Sequence, residues 1–175
     1  MASRVGGDLS KIQTGPCRLD LDDESVGHTM EGIKLNVQPD IRVRNVDEFG
    51  VSKVDMIYQG EAIQISTTLA EKTISTLRLV FAWGYETSTT RHSFGRLPGL
   101  RGSDIAKELR IHPLEFDDDD ESEDAVFYKV CVSNSAEVNI GSVSADRTFG
   151  VTFDALVDES KTEAQGLLGY IGAAA

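Results

Sequence analysis

The chain is poor in the residues that most often carry chemistry. Its 175 residues include three histidines, two cysteines and one tryptophan. His28, His92 and His112 fall in three separate segments that read as loops, with no pair at metal-ligand spacing, and neither Cys17 nor Cys131 stands in a CxxC pair. That pattern argues against a zinc site. Positive charge is also scarce: 17 Lys and Arg against 29 Asp and Glu give a formal net charge of -12 and a pI near 4.6. A surface of this sign neither neutralises nucleic-acid phosphates nor lies on anionic lipid. No window approaches the roughly 20 apolar residues of a membrane-spanning helix. The opening MASRVGGDLSKIQTGP holds no apolar h-region, so the expectation is a soluble chain without a cleavable export signal.

Catalytic motifs are missing in the same way. GRLPGLRG, from Gly95 to Gly102, fits neither GxxxxGK[ST] nor GxGxxG. GSVSA, from Gly141 to Ala145, lacks the last glycine of GxSxG and its strand-to-helix setting. The run EFDDDDESED, from Glu115 to Asp124, has eight acidic residues in ten, and without them the net charge would be -4. It lacks the sixth-position glycine and the spaced ligands of an EF-hand, and eight like charges repel one another into an exposed, extended loop. The expectation is therefore no enzyme, no metal and no cofactor. The two cysteines, far apart and each in an apolar-alternating run, read as buried thiols rather than a disulfide.

What the chain does have is alternation. An apolar content of 40% in 175 residues suits one domain with a real core. Cys17, Leu19 and Leu21 alternate with polar neighbours as a first strand. Ile33, Leu35 and Val37, then after Pro39-Asp40 also Ile41 and Val43, keep one two-residue beat, with Arg42 and Arg44 on the opposite face. Asp47-Glu48-Phe49-Gly50 reads as a turn, and Val54, Met56 and Tyr58 as a return strand ending at Gly60. Arg42 and Arg44, with Asp55 and Glu61 close in sequence, suit an ion-pair set across strands or between subunits, or else an ordinary solvent face.

Ile63 and Ile65 continue as a buried strand, after which the period changes. Ala70, Ile74, Leu77 and Phe81 line one face of a helix over about 68–80, with Thr68 as N-cap and Glu71 completing a capping box. Trp83 to Gly102 has no sustained period and reads as a long surface loop, with Trp83 and Tyr85 closing the helix end or else making an aromatic contact at an interface. A short second helix is expected from Ser103, as N-cap, through Leu109, stopping before Pro113. Val126 to Val132, Val138 with Ile140, and Phe149 with Val151 and Phe153 read as strands. Leu167, Leu168, Tyr170 and Ile171 form an apolar cluster suited to a short docked segment. The organisation expected is a flexible arm over 1–16, one domain over 17–158 and a C-terminal arm over 159–175. The fold class is mainly β, an antiparallel two-sheet sandwich or barrel with one packed helix.

The order of these features resembles the tail tube proteins of tailed bacteriophages. The resemblance is carried by GHTMEG at Gly27 to Gly32, the DEFG turn at Asp47 to Gly50, VDMIYQGE with Gly60-Glu61, TLAEKTISTL at Thr68 to Leu77, and VTFDALVD at Val151 to Asp158. It spans about residues 17–158; the Trp83–Gly102 loop and the acidic loop have no counterpart in it. It implies a structural protein of the virion tail, assembled in the host cytoplasm into hexameric rings that stack as a hollow tube. It implies as partners other copies of the chain and sheath or other tail proteins. DNA would pass through the lumen without specific binding, and no membrane is involved. Contacts between rings would fall to the terminal arms and to the extended hairpin, at Asp47, Glu48, Phe49, Gly50, Arg42 and Arg44. Two other readings stand beside it: a monomeric β-sandwich binding module using the glycine-rich loop, and another virion component such as a tail terminator or decoration protein.

Overall fold

The computed structural model describes residues 15–71, 73–88, 90–141 and 147–173. Most of the N-terminal arm expected over 1–16, and most of the GSVSA segment, lie outside them. The strands are β1 (Cys17–Leu21), β2 (Glu24–Ser25), β3 (Thr29–Arg44) and β4 (Asp55–Leu69), followed by helix α1 (Ile74–Val80). A small ribbon, β5 (Tyr85–Ser88) and β6 (Arg91–Ser93), and a single helical turn, α2 (Gly102–Ile105), lead to β7 (Lys107–Pro113), β8 (Ala125–Val138), β9 (Phe149–Ala155) and β10 (Gly169–Ile171).

The protein is mainly β and antiparallel. Hydrogen bonding is continuous across one sheet in the order β2-β1-β7-β8-β9-β4-β3, with β10 added to β8. The sheet curls, because β1 comes into contact with β3 although four strands intervene along the ladder. Both ends therefore contribute to one core: Leu19 and Leu21 of β1, Ile65 and Leu69 of β4, Leu109 of β7, Phe127 of β8, and Phe149 and Phe153 of β9 are fully buried. These residues sit at alternate strand positions, as one-sided burial requires. Leu77, Leu79 and Val80 of α1 join the same cluster.

The helix begins later than its periodicity suggests. Thr67, Thr68 and Leu69 are committed on both sides, to β3 and to Val151, Gly150 and Phe149 of β9, so the strand runs on through Thr68. The cap is Thr73, whose hydroxyl accepts from Thr76 N–H at 3.0 Å. Glu71 makes no capping box; its carboxylate lies 3.6 Å from His28 Nε2. The second helix is also shorter than expected. Ser103 lies inside α2, which ends at Ile105, and Leu109 belongs to β7, held between β1 and β8. The Trp83–Gly102 loop contains the β5–β6 ribbon. Pro39 does not interrupt β3, because that strand lies at the sheet edge, where a missing N–H is tolerated. His92 and His112 lie in strands rather than loops. Both cysteines are free; Cys131 is buried and Cys17 half-buried, and burial pushes both thiols up.

The acidic run is folded back rather than extended. Arg18 bridges Asp118 at 2.7 Å and Arg110 bridges Glu121 at 2.9 Å. Asp124 is buried against His112, Oδ1 to Nδ1 at 2.6 Å, and its carbonyl accepts from Gly172 N–H. The C-terminal segment is docked in turn. Lys129 bridges Asp158 at 2.9 Å, the Tyr128 hydroxyl donates to the Gln165 carbonyl, and β10 pairs with Ala125–Phe127.

Candidate functional site

Two strands leave this body together. β3 and β4 pair from Thr29 opposite Leu69 out to Arg44 opposite Asp55. β9 backs β4 only over Gln64–Leu69. Beyond that point residues 37–44 and 55–63 form a two-stranded arm of about 25–30 Å, at 3.3–3.4 Å per residue. Both of its edges carry unpaired backbone groups, the kind of surface proteins normally cover or blunt.

The two faces of the arm differ in kind. Directly opposed residues of an antiparallel pair share a face. Val37 opposes Ile63, Ile41 opposes Tyr58 and Val43 opposes Met56, while Leu35 opposes the fully buried Ile65. One apolar stripe thus starts in the core and runs out along the arm, where Leu35, Val37, Ile41, Val43, Met56 and Tyr58 are 39–60% exposed; a single carboxylate, Glu61 opposite Pro39, breaks it midway. The other face carries Gln38, Asp40, Arg42 and Arg44.

The apolar residues on the two sides of Glu61 share a face because of one irregularity. Ile63 and Ile65 are odd-numbered, Tyr58 and Met56 even, and in a regular strand they would point to opposite faces. The register shifts between Asp40 and Ile41, leaving Gln59 without a partner, and Gly60 at φ 137° takes the bend. The shift turns Tyr58 and Met56 onto the face of Ile63. Partial desolvation and the neighbouring Glu61 carboxylate push the Tyr58 phenol up.

At the tip, Asp47–Phe49 form a 3-10 turn, Gly50 follows at φ 59°, and the Val54 N–H closes the loop onto the Arg44 carbonyl at 3.0 Å. All of these residues are exposed, Val51 at 97%. The tip presents two carboxylates, Asp47 and Glu48, beside the apolar Val46, Phe49, Val51 and Val54. Gly50 has open space where a Cβ would sit, so its backbone conformation, not crowding, favours glycine. Arg42 and Arg44 stand on the polar face, opposite Ile57 and Asp55. Among the described residues neither closes an ion pair.

The hairpin thus holds all six expected contact residues on one element: four at the tip and two on its polar flank. The alternation of both strands was legible, but not that its apolar face stays uncovered along the arm. The signals of that uncovered face were the length of alternation, from Ile33 to Tyr58, against a usual strand of five or six residues, and the change of parity across Gly60. A second surface lies around the end of α1. Phe81, Trp83, Phe94, Leu97, Pro98 and Leu100 line a cleft of about 280 Å³. Trp83, expected to plug the helix end, is 38% exposed, with its indole N–H reaching the Val132 carbonyl at 3.4 Å.

Among the described residues no group of three His, Cys, Asp or Glu is placed to hold a metal ion, and no helix is long and apolar enough to cross a membrane. No protein-family model matches the chain, and no curated protein matches it in sequence.

Proposed function

We propose that the protein is a self-assembling structural subunit of the phage tail tube type, whose copies form rings that stack into a hollow conduit. The observation that carries this reading is the arm: a largely apolar face that extends from the core, broken only by Glu61 and left uncovered between two open strand edges. A monomer with this surface is incomplete, because large uncovered apolar strips and long flat edges drive association. Six half-exposed side chains gain roughly 1 kcal/mol each on full burial. Their sum is of the same order as the 4–15 kcal/mol that association costs in lost freedom. One arm alone therefore gives a weak, concentration-dependent contact, and a stable particle needs several contacts per copy, as a closed ring supplies.

The net charge of -12 suits a conduit that offers passing DNA no phosphate anchor. The order of sequence features from Gly27 to Asp158 supports the same assignment. Negative-stain electron microscopy across a concentration series tests it. Hollow rings or tubes with sixfold end views are the expected result. Uniform monomers at every concentration, including after addition of preformed tail tips as initiators, would replace it with a binding module acting through the cleft at the end of α1.

A further inference from the structure

The tip of the arm and the cleft at the end of α1 are complementary. We propose that the cleft receives the β3–β4 tip of a second copy of this chain; the proposal rests on the self-assembly reading above and names the receptor surface. The first ground is charge. Between Glu86 and Asp104 the chain has no acidic residue and carries Arg91, Arg96 and Arg101, a local positive patch in a protein of net charge -12. All three arginines are exposed and Arg96 lines the cleft. The tip carries Asp47 and Glu48 on its 3-10 turn against one lysine, Lys53, so residues 46–54 keep a net charge of -1.

The second ground is apolar surface. Phe49 and Val51 project from the tip, and Phe94 and Leu97 at the cleft are 72% and 85% exposed. Each surface has the composition of an interface centre, apolar side chains with charge at the rim, and the rims have opposite sign.

The third ground is that the receptor is built. Phe81, on the cleft floor, stacks on the fully buried Phe149 at 5.3 Å between centroids, and its other neighbours are Phe94 at 6.0 Å and His92 at 6.1 Å. His92 in turn meets Phe94 edge-on at 4.8 Å. The β5–β6 ribbon is held against this stack at Gly84, where any Cβ would collide with the His92 ring. The cleft is thus anchored to the core, while the tip is presented on a lever.

Tip and cleft are different surfaces of one chain, so their union is heterologous: copies add head to tail and form rings or open filaments. That geometry is the one a stacked tube requires, and a two-fold dimer does not satisfy it.

The test uses the full chain with a photo-crosslinking amino acid replacing Val51, mixed in equal parts with isotopically labelled chain. Crosslinked peptides are identified by mass spectrometry. The expected crosslinks join position 51 to residues 81–100 and pair labelled with unlabelled peptides, which makes them intermolecular. A second arm uses charge. Glu48→Lys and Arg96→Glu, both at exposed positions, should each raise the concentration needed for assembly about tenfold, and together they should restore it. Tubes that crosslink from position 51 to any other surface, or that ignore both charge reversals, overturn the cleft assignment and leave self-assembly standing. Monomers at every concentration with no intermolecular crosslink overturn both.

Discussion

The hairpin of β3 and β4 can be compared with itself. At its root, Ile65 and Leu69 are sealed between Phe153, Phe149 and the opposite end of the curled sheet. A few residues further out, Val37, Ile41 and Val43 follow the same alternation and are 40–45% exposed. The strand code is identical in both halves; what differs is whether a third strand and a facing layer exist. Alternation specifies which face wants cover, and says nothing about who supplies it. In the body the chain supplies its own cover, and in the arm it does not.

Core truncation should separate the two halves most widely. Phe153→Ala, opposite Ile65 at the root, should destabilise the monomer by about 3–5 kcal/mol, from lost burial and a residual cavity. Ile41→Ala on the arm should change monomer stability by less than about 1 kcal/mol. Urea denaturation at low protein concentration measures both. Assembly should show the reverse order, with Ile41→Ala impairing tube formation while the monomer stays folded. Equal destabilisation by the two would mean that the arm is covered in the monomer.

The same contrast holds for charge. Asp124→Ala would leave the buried His112 Nδ1 without its hydrogen-bond partner and should cost about 1–3 kcal/mol, the usual penalty for a buried polar group left unsatisfied. Arg44→Ala removes an exposed cation that has no ion-pair partner among the described residues and should stay within about 0.5 kcal/mol. Thermal melts of both variants check this. A neutral Asp124→Ala would show that the acidic loop is not pinned by its last residue.

Gly60 joins the halves, and replacing it should have an intermediate effect. Gly60→Val puts a β-branched residue at φ 137°, at a cost of about 1–3 kcal/mol. If the bulge slips in response, Met56 and Tyr58 rotate to the polar face and the stripe is cut in two. Nuclear Overhauser contacts between Ile41 and Tyr58 report the register directly. Their survival with assembly intact would show that the bulge is fixed by more than its glycine.

Much of the body was legible because its strands obey simple rules. Cys17–Leu21 and Phe149–Ala155 follow period two under one-sided burial, and the hairpin turn at Asp47–Gly50 carries its own chemistry. The misread elements are those where tertiary pairing overrides local preference. Thr68 reads as a cap until β9 is known to claim its backbone. Ile105 to Leu109 has helical spacing until β1 and β8 enclose Leu109. The burial of Asp124 depends on His112 twelve residues away, a pairing with no periodic signature. At the site, the turn at Asp47–Gly50 and the strand face of Arg42 and Arg44 could be read from the local pattern, whereas a contact role for them rests on the family resemblance alone. The stripe could not be followed through Gly60, because a bulge inverts parity without leaving a unique sequence mark.

The smallest effect concerns the other projecting segment, the C-terminal one, which the body holds where it leaves the arm free. The Asp158 carboxylate accepts from Lys129 Nζ at 2.9 Å, from Ser160 N–H at 3.1 Å and from the Ser160 hydroxyl at 2.9 Å. The bond from Lys129 is the main cause, and the Ser160 amide the next, of a pKa lowered from an ordinary 3.8 to about 2. In the unfolded chain the group regains its ordinary value, so the unfolded state binds the proton first as pH falls. The clamp therefore contributes in full above about pH 4, weakens as pH falls, and is gone below about pH 2. Asp158→Asn cannot ionise and should lose less stability than the natural chain between pH 4 and pH 2, although it starts lower. The difference between the two urea midpoints, followed across that window, isolates this one group from the other acidic residues. Parallel curves would mean that Lys129 does not hold the segment, and that β10 is kept in place by its pairing with β8 and by the bonds from Tyr128 to Gln165 and from Gly172 to Asp124.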